Sequence, residues 1–236
     1  MTHFIALTWT DLRVLYRTGY VWATVAMFVI VLVFALQVRR LEFAGFADVV
    51  TAIILLDVVA LPVLLVGLMV LLERGEGALL GLAATPLSPW TYLAARVTTV
   101  SVICSAEMLF IALLAYDGAL RPDLLVVGLL SVASVASLTG FCAVAPVTGL
   151  YAFILPMMAC VLFLGAPAYA VLAGWSPLWF AWHPTAPGLT LLESAFTTVP
   201  RVRLAYAAVG AVLWLALGGW LAALALRGMR ARAAGG

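Results

Sequence analysis

Lysine is absent from this 236-residue chain: all twelve basic residues are arginine. A Walker A loop needs its lysine on the β- and γ-phosphates of a nucleotide, and a Schiff-base enzyme needs a lysine amine. Both chemistries are excluded for this chain. Charge of either sign is scarce, at 9% of residues, while 67% are hydrophobic. A soluble domain carries roughly 25% charged and 45–50% apolar residues. No fold hides that much apolar surface from water, so lipid is the expected solvent. The net charge of +2 is too small to imply a nucleic-acid partner. Cysteine is sparse and odd in number, and Cys104, Cys142 and Cys160 all lie in apolar stretches. They read as small buried hydrophobes, not as a disulfide framework. His3 and His183 have no metal-ligand partner at useful spacing, and no Gly-x-Ser-x-Gly or His-Glu-x-x-His constellation appears. The sequence therefore supplies no catalytic residues and no metal site. The all-arginine usage beside abundant Ala, Leu, Val and Gly suggests a GC-rich bacterial genome, and with it a bacterial plasma membrane.

What is present is a series of apolar runs. A helix needs roughly 20 mostly apolar residues to cross a bilayer. The expected spans are Val21–Val38, Val49–Leu72 (interrupted by Asp57), Val97–Tyr116 (interrupted by Glu107), then about 124–143, about 150–172, and Leu204–Leu226. The fourth and fifth come from one uncharged stretch, Leu124–Leu192, broken by Pro146 and Gly149 and again by Gly174, Trp175, Pro177, Pro184 and Pro187. The N-terminus lacks the pattern of a cleaved leader, and Asp11, Arg13 and Arg17 precede the first run, which is expected to be retained as a span. Six spans put both termini on one side. Arg13, Arg17, Arg74, Arg96, Arg227, Arg230 and Arg232 would lie there, against Arg39, Arg40, Arg121, Arg201 and Arg203 opposite. The positive-inside rule makes the first side cytoplasmic.

The expected fold is thus a single all-α integral membrane domain over residues 1–236, with two elements that do not span. In residues 1–19, Ile5, Trp9, Leu12 and Tyr16 share one helical face, and Thr10, Arg13 and Arg17 share another. That pattern reads as an amphipathic helix in the cytoplasmic interface. Residues 173–203 interleave Trp175, Trp179 and Trp182 with prolines, too apolar for a plain extracellular loop. They should sit in the outer interface or dip into the protein as short helices, with Thr185 capping one that starts at Pro187 and Leu189, Leu192 and Phe196 on one face.

The most informative stretch follows the second span. It begins Glu73-Arg74-Gly75-Glu76-Gly77, continues through Leu79, Leu82, Thr85-Pro86-Leu87-Ser88-Pro89 and Tyr92-Leu93, and ends at Arg96. This is a charged helix end, a short amphipathic segment and a proline-controlled turn. Ser88 can cap the next helix, with Pro89 in its first turn. A short stiff element between two membrane helices can transmit a push from a soluble partner.

This stretch resembles the cytoplasmic coupling loop of ABC-2 type transporter permeases, with Glu73, Arg74, Gly77, Leu79, Leu82, Thr85, Pro86, Leu87, Ser88, Tyr92, Leu93 and Arg96 matching the family pattern. Within the family the chain is most similar to permease subunits of the fluoroquinolone-export type, through His183-Pro184-Thr185 and through the Val147-Thr148 turn before a helix bearing Pro156. The resemblance implies the membrane subunit of an exporter that moves a drug-like, lipid-like or other amphipathic substrate outward. It implies no catalysis on this chain, ATP and Mg held by a separate nucleotide-binding subunit docked on Glu73–Arg96, and pairing with a second copy or a related permease. The sequence departs from the pattern at Ala78 and Leu80, where the family often has Thr and an acid. That departure bears on ionic contact with the ATPase.

Asp57 and Glu107 are the only acids well inside expected spans. A charge at that depth must face the bundle interior or water, or be protonated. Each lies about nine residues from its outer helix end, so both belong at one depth, where they would line a substrate path for a cationic or polar solute or hydrogen-bond within the bundle. Ser131, Ser134 and Ser137 read as a close-packing stripe more than as a polar path. Two other readings fit this composition: a haem-exporter-like permease of cytochrome maturation, or an intramembrane enzyme using Asp57 and Glu107 as an acid pair, for which no nucleophile or metal is in sight.

Overall fold

The structure is a computed structural model that describes residues 2–40, 45–78, 81, 88–116, 118–175 and 180–234. Among the described residues there are eight helices and no strand: α1 (Thr2–Arg17), α2 (Tyr20–Arg39), α3 (Phe46–Gly75), α4 (Pro89–Ala115), α5 (Pro122–Val144), α6 (Leu150–Leu172), α7 (Ala186–Phe196) and α8 (Arg201–Ala234). Six of them, α2 to α6 and α8, are long and apolar enough to cross a membrane. The chain is an all-α multi-pass membrane protein.

The helix boundaries follow local chemistry. Gly19 takes φ 80° between α1 and α2, a left-handed turn that suits a residue without Cβ. Ser88 accepts a hydrogen bond from the Trp90 amide at 3.3 Å and Pro89 opens α4, as the capping pattern predicts. Two helices are longer than their apolar runs. α4 begins at Pro89, ahead of the run that opens at Val97, so Arg96 lies in a helix and not in a loop. α8 runs on to Ala234, past Leu226, because Ala and Arg are strong helix formers that keep the turn going beyond the apolar run.

α3 and α5 form the centre. α3 packs against α4, α5, α6 and α7, and α5 against α3, α4, α6, α7 and α8. Small residues set the approach distances. A Cβ on Gly140 of α5 would lie 2.8 Å from the Cα of Val63, just after Pro62 of α3, so the two backbones touch there. Gly67 of α3 likewise lies under the Phe153 ring of α6. Ser134 of α5 donates to Ser101 of α4 at 3.2 Å, which makes the serine stripe part of a helix contact. Such close small-residue contacts are how helices associate in lipid, where apolar burial alone supplies no drive. By contrast α2 is 11% buried and α6 and α8 each 22% over their apolar windows. Their remaining apolar surface faces outward, as lipid-facing helices require.

α7 dips into the bundle. Ten of its eleven residues are buried. Its Gly188 meets Val132 of α5, its Leu192 meets Gly128 of α5, and Pro187 lies against Gly210 of α8. Thr185 does precede the helix, but it makes no side-chain cap. Its hydroxyl donates instead to the Leu164 carbonyl of α6 at 2.7 Å. Exposed aromatics ring both ends of the bundle: Trp9, Tyr16, Trp22, Trp90 and Tyr151 at one, Trp175 and Trp182 at the other. These are the positions of interfacial belts.

Candidate functional site

The end of the bundle that carries both termini is tied together by arginines. Arg17 pairs with Glu76 at 3.7 Å. Arg74 of α3 and Arg232 of α8 both donate to the Ala145 carbonyl in the α5–α6 turn, at 3.1 and 2.9 Å. At the centre of this end, Arg96 of α4 is buried and ion-pairs with Asp11 of α1 at 3.2 Å and with Glu73 of α3. The Tyr92 hydroxyl, one turn before Arg96, donates to the other Glu73 oxygen at 2.5 Å. The Arg96 guanidinium also lies 5.4 Å from the Tyr92 ring centroid. One cation therefore joins three helices through a planar fork and an aromatic face, geometry that lysine does not provide.

This cluster explains α1. Its Ile5, Trp9, Leu12 and Tyr16 face is exposed, as an interfacial helix requires, while Asp11 and Leu15 on the other side are buried against the bundle. Burial pushes the Asp11 carboxyl up to about 6; Arg96 opposes this, Glu73 adds to it, and the Thr99 hydroxyl opposes it further. Asp11 escaped the sequence reading because it was grouped only with the charges before the first span. The available signal was its spacing to Leu15, four residues on and so on the same face.

Arg96 is thus not part of an exposed loop surface, as the sequence suggested, because α4 starts early enough to carry it inside. Glu73 and Arg74 end α3 and are half-buried, and Glu76, Gly77 and Ser88 are exposed. Gly77 takes φ 70°, so the family-pattern glycine stands where the chain turns left-handed off α3. Leu79, Leu82, Thr85, Pro86 and Leu87 lie outside the described residues.

The two membrane acids sit deeper in the same helices. Asp57 is eleven residues from the start of α3 and Glu107 eight from the end of α4, or roughly 16 and 12 Å at about 1.5 Å per residue. Both are buried. The two carboxyls and the Cys104 thiol lie within electrostatic range of one another. Asp57 Oδ2 and both Glu107 oxygens have no hydrogen-bond partner. Among the described residues no group of three His, Cys, Asp or Glu is placed to hold a metal ion. All three cysteines are free, with Cys104 buried and the other two half-buried.

Asp57 lines a cavity of about 450 Å³ between α2, α3 and α6, whose other walls include Met27, Ala60, Leu64, Met157 and Leu162. A second chamber of about 350 Å³ shares Tyr20 and Leu68 with it and reaches Arg74 and Thr148 at the termini end. The α2 and α6 residues of these walls had no signal in the sequence, because which faces of two apolar helices meet is a tertiary fact. No protein-family model matches the chain, and no curated protein matches it.

Proposed function

We propose that this chain is the membrane-spanning permease subunit of an ATP-binding cassette exporter of the ABC-2 type, with the termini end in the cytoplasm of a bacterial cell. A separate nucleotide-binding subunit supplies ATP hydrolysis, and two permease chains pair to complete the translocator. The observation that carries this reading is the Glu73–Arg96 segment. Its residue pattern resembles the family's coupling loop, and its first and last residues form an ion pair in the bundle. A soluble subunit pressing on the loop pushes on both roots at once. Those roots belong to α3 and α4, which carry Asp57 and Glu107 farther along. The interfacial helix is joined to the same guanidinium through Asp11, so it moves with them. Seven arginines at this end against five at the other agree with a cytoplasmic placement.

The test is co-purification from native membranes. The wild-type chain should bring down a nucleotide-binding ATPase. Replacing Leu82 and Leu87 together by Asp puts charge into the apolar part of the loop and leaves every span untouched. That double variant should insert normally and lose the ATPase. A wild-type chain that brings down none, or a double variant that keeps its full complement, removes the docking role.

A further inference from the structure

We propose that the cavity between α2, α3 and α6 binds lipophilic organic cations, with Asp57 as their counter-ion. As a substrate site this rests on the export reading above; as a binding site it stands on the cavity alone. The volume of about 450 Å³ falls in the range of small-molecule sites. Its walls are apolar side chains with few polar groups. Of these, the Thr24 hydroxyl is held by the Tyr20 carbonyl at 2.9 Å within its own helix. Asp57 is 6% exposed, and its Oδ2 has no hydrogen-bond partner. A carboxylate so placed is unfavourable until something positive sits beside it.

The chemistry of the occupant follows by elimination. An anion would meet the Asp57 carboxyl and no cationic side chain in the cavity wall. A small metal ion lacks a set of three donors among the described residues. A hydrated or multiply charged solute would have to shed its water against Leu, Met and Ala. A bulky monovalent cation with apolar substituents satisfies both the walls and the carboxylate. α2 forms one side of the cavity and is the least packed of the spans, touching only α1, α3 and α4 to any extent. Entry from the surrounding lipid past α2 therefore needs no rupture of the α3–α5 core.

The experiment uses the purified full chain in lipid nanodiscs, without any ATPase, and tritiated tetraphenylphosphonium as probe. Wild type should bind saturably. Asp57→Asn should weaken binding at least tenfold, and Asp57→Glu should retain most of it. Ala60→Phe, which fills the cavity and leaves Asp57 in place, should abolish it. Neutral triphenylphosphine oxide should fail to displace the probe. Wild-type affinity in Asp57→Asn or Ala60→Phe overturns the site. Displacement by the neutral oxide overturns the cationic class, since it means that a protonated Asp57 is donating a hydrogen bond. No saturable binding by wild type, as when a second copy of the chain covers the opening, also overturns it. Binding by a chain that brings down no ATPase keeps the site and removes the exporter; ATPase capture without binding does the reverse.

Discussion

α3 and α4 each contribute one residue to an ion pair near the termini end and one acid deeper in the bundle, and the two pairs are treated in opposite ways. Glu73 and Arg96 meet, with Asp11 and Tyr92 completing the set. Asp57 and Glu107, farther along the same helices, are both acids and leave three of their four oxygens without a hydrogen bond. The outer pair closes on itself and organises three helices. The inner pair leaves carboxyl oxygens without a partner, and Asp57 lines an apolar cavity. A buried charge that finds its partner within the chain belongs to the architecture. One that does not, and that lines a cavity, is available to a ligand.

The sharpest way to break this comparison is to remove the shared cation. Arg96→Ala leaves the buried Asp11 and the half-buried Glu73 without their partner, and removing one member of a buried pair is worth about 3–5 kcal/mol. Thermal unfolding in nanodiscs, followed by tryptophan fluorescence, should drop accordingly. Arg96→Lys should fall between, since an ammonium does not fork to two acids while lying against the Tyr92 ring. An Arg96→Ala protein within about 1 kcal/mol of wild type would mean that the cluster is peripheral.

Asp11 gives the next largest effect, and its sign is opposite to that of an ordinary salt-bridged acid. Its folded value of about 6 lies above the ordinary 3.8. Between those two values the folded chain holds more protons than the unfolded one, so this group's contribution to stability falls as pH rises from about 4 to 6 and stays lost above. At about 1.4 kcal/mol per pH unit the full change is roughly 3 kcal/mol. Asp11→Asn should remove that part of the slope, measured as the wild-type minus variant difference across pH 4 to 7. A difference that is flat, or that rises with pH, would show that Arg96 outweighs burial at Asp11.

The spans were legible because each is a long apolar run, broken by at most one acid and bounded by charged residues, proline or glycine, and the fifth matches its expected limits of 150 and 172. Ser88-Pro89 announces the α4 start, but hydropathy registers apolarity and not helicity, so the apolar run by itself places the span only from Val97. Arg96 then looked like loop charge, although an arginine on a helix at membrane depth needs a partner, and Asp11 was in range only through the fold. The acids Asp57 and Glu107 were visible as charges in apolar runs. Their cavity was not, since it depends on Met157 and Leu162 of α6 facing Met27 of α2 across it. α7 was half legible: proline and tryptophan excluded a plain loop, but its glycine contacts to α5 and α8 are tertiary.

The smallest expected effect is also the one that separates the two charge pairs. Asp57→Leu removes a buried carboxyl whose Oδ2 has no partner, so it breaks nothing that holds helices together. Leucine is close enough in volume to extend the cavity wall without a clash, and it ends the unfavourable burial of a polar group. Stability should therefore change by less than about 1 kcal/mol or rise slightly, where Arg96→Ala falls by several. Measured side by side in the same nanodiscs, the two variants form the test. If Asp57→Leu falls as far as Arg96→Ala, Asp57 has a structural partner and its charge is already spoken for. If it holds its unfolding temperature while losing tetraphenylphosphonium binding, the membrane acid is kept for something that comes from outside the chain.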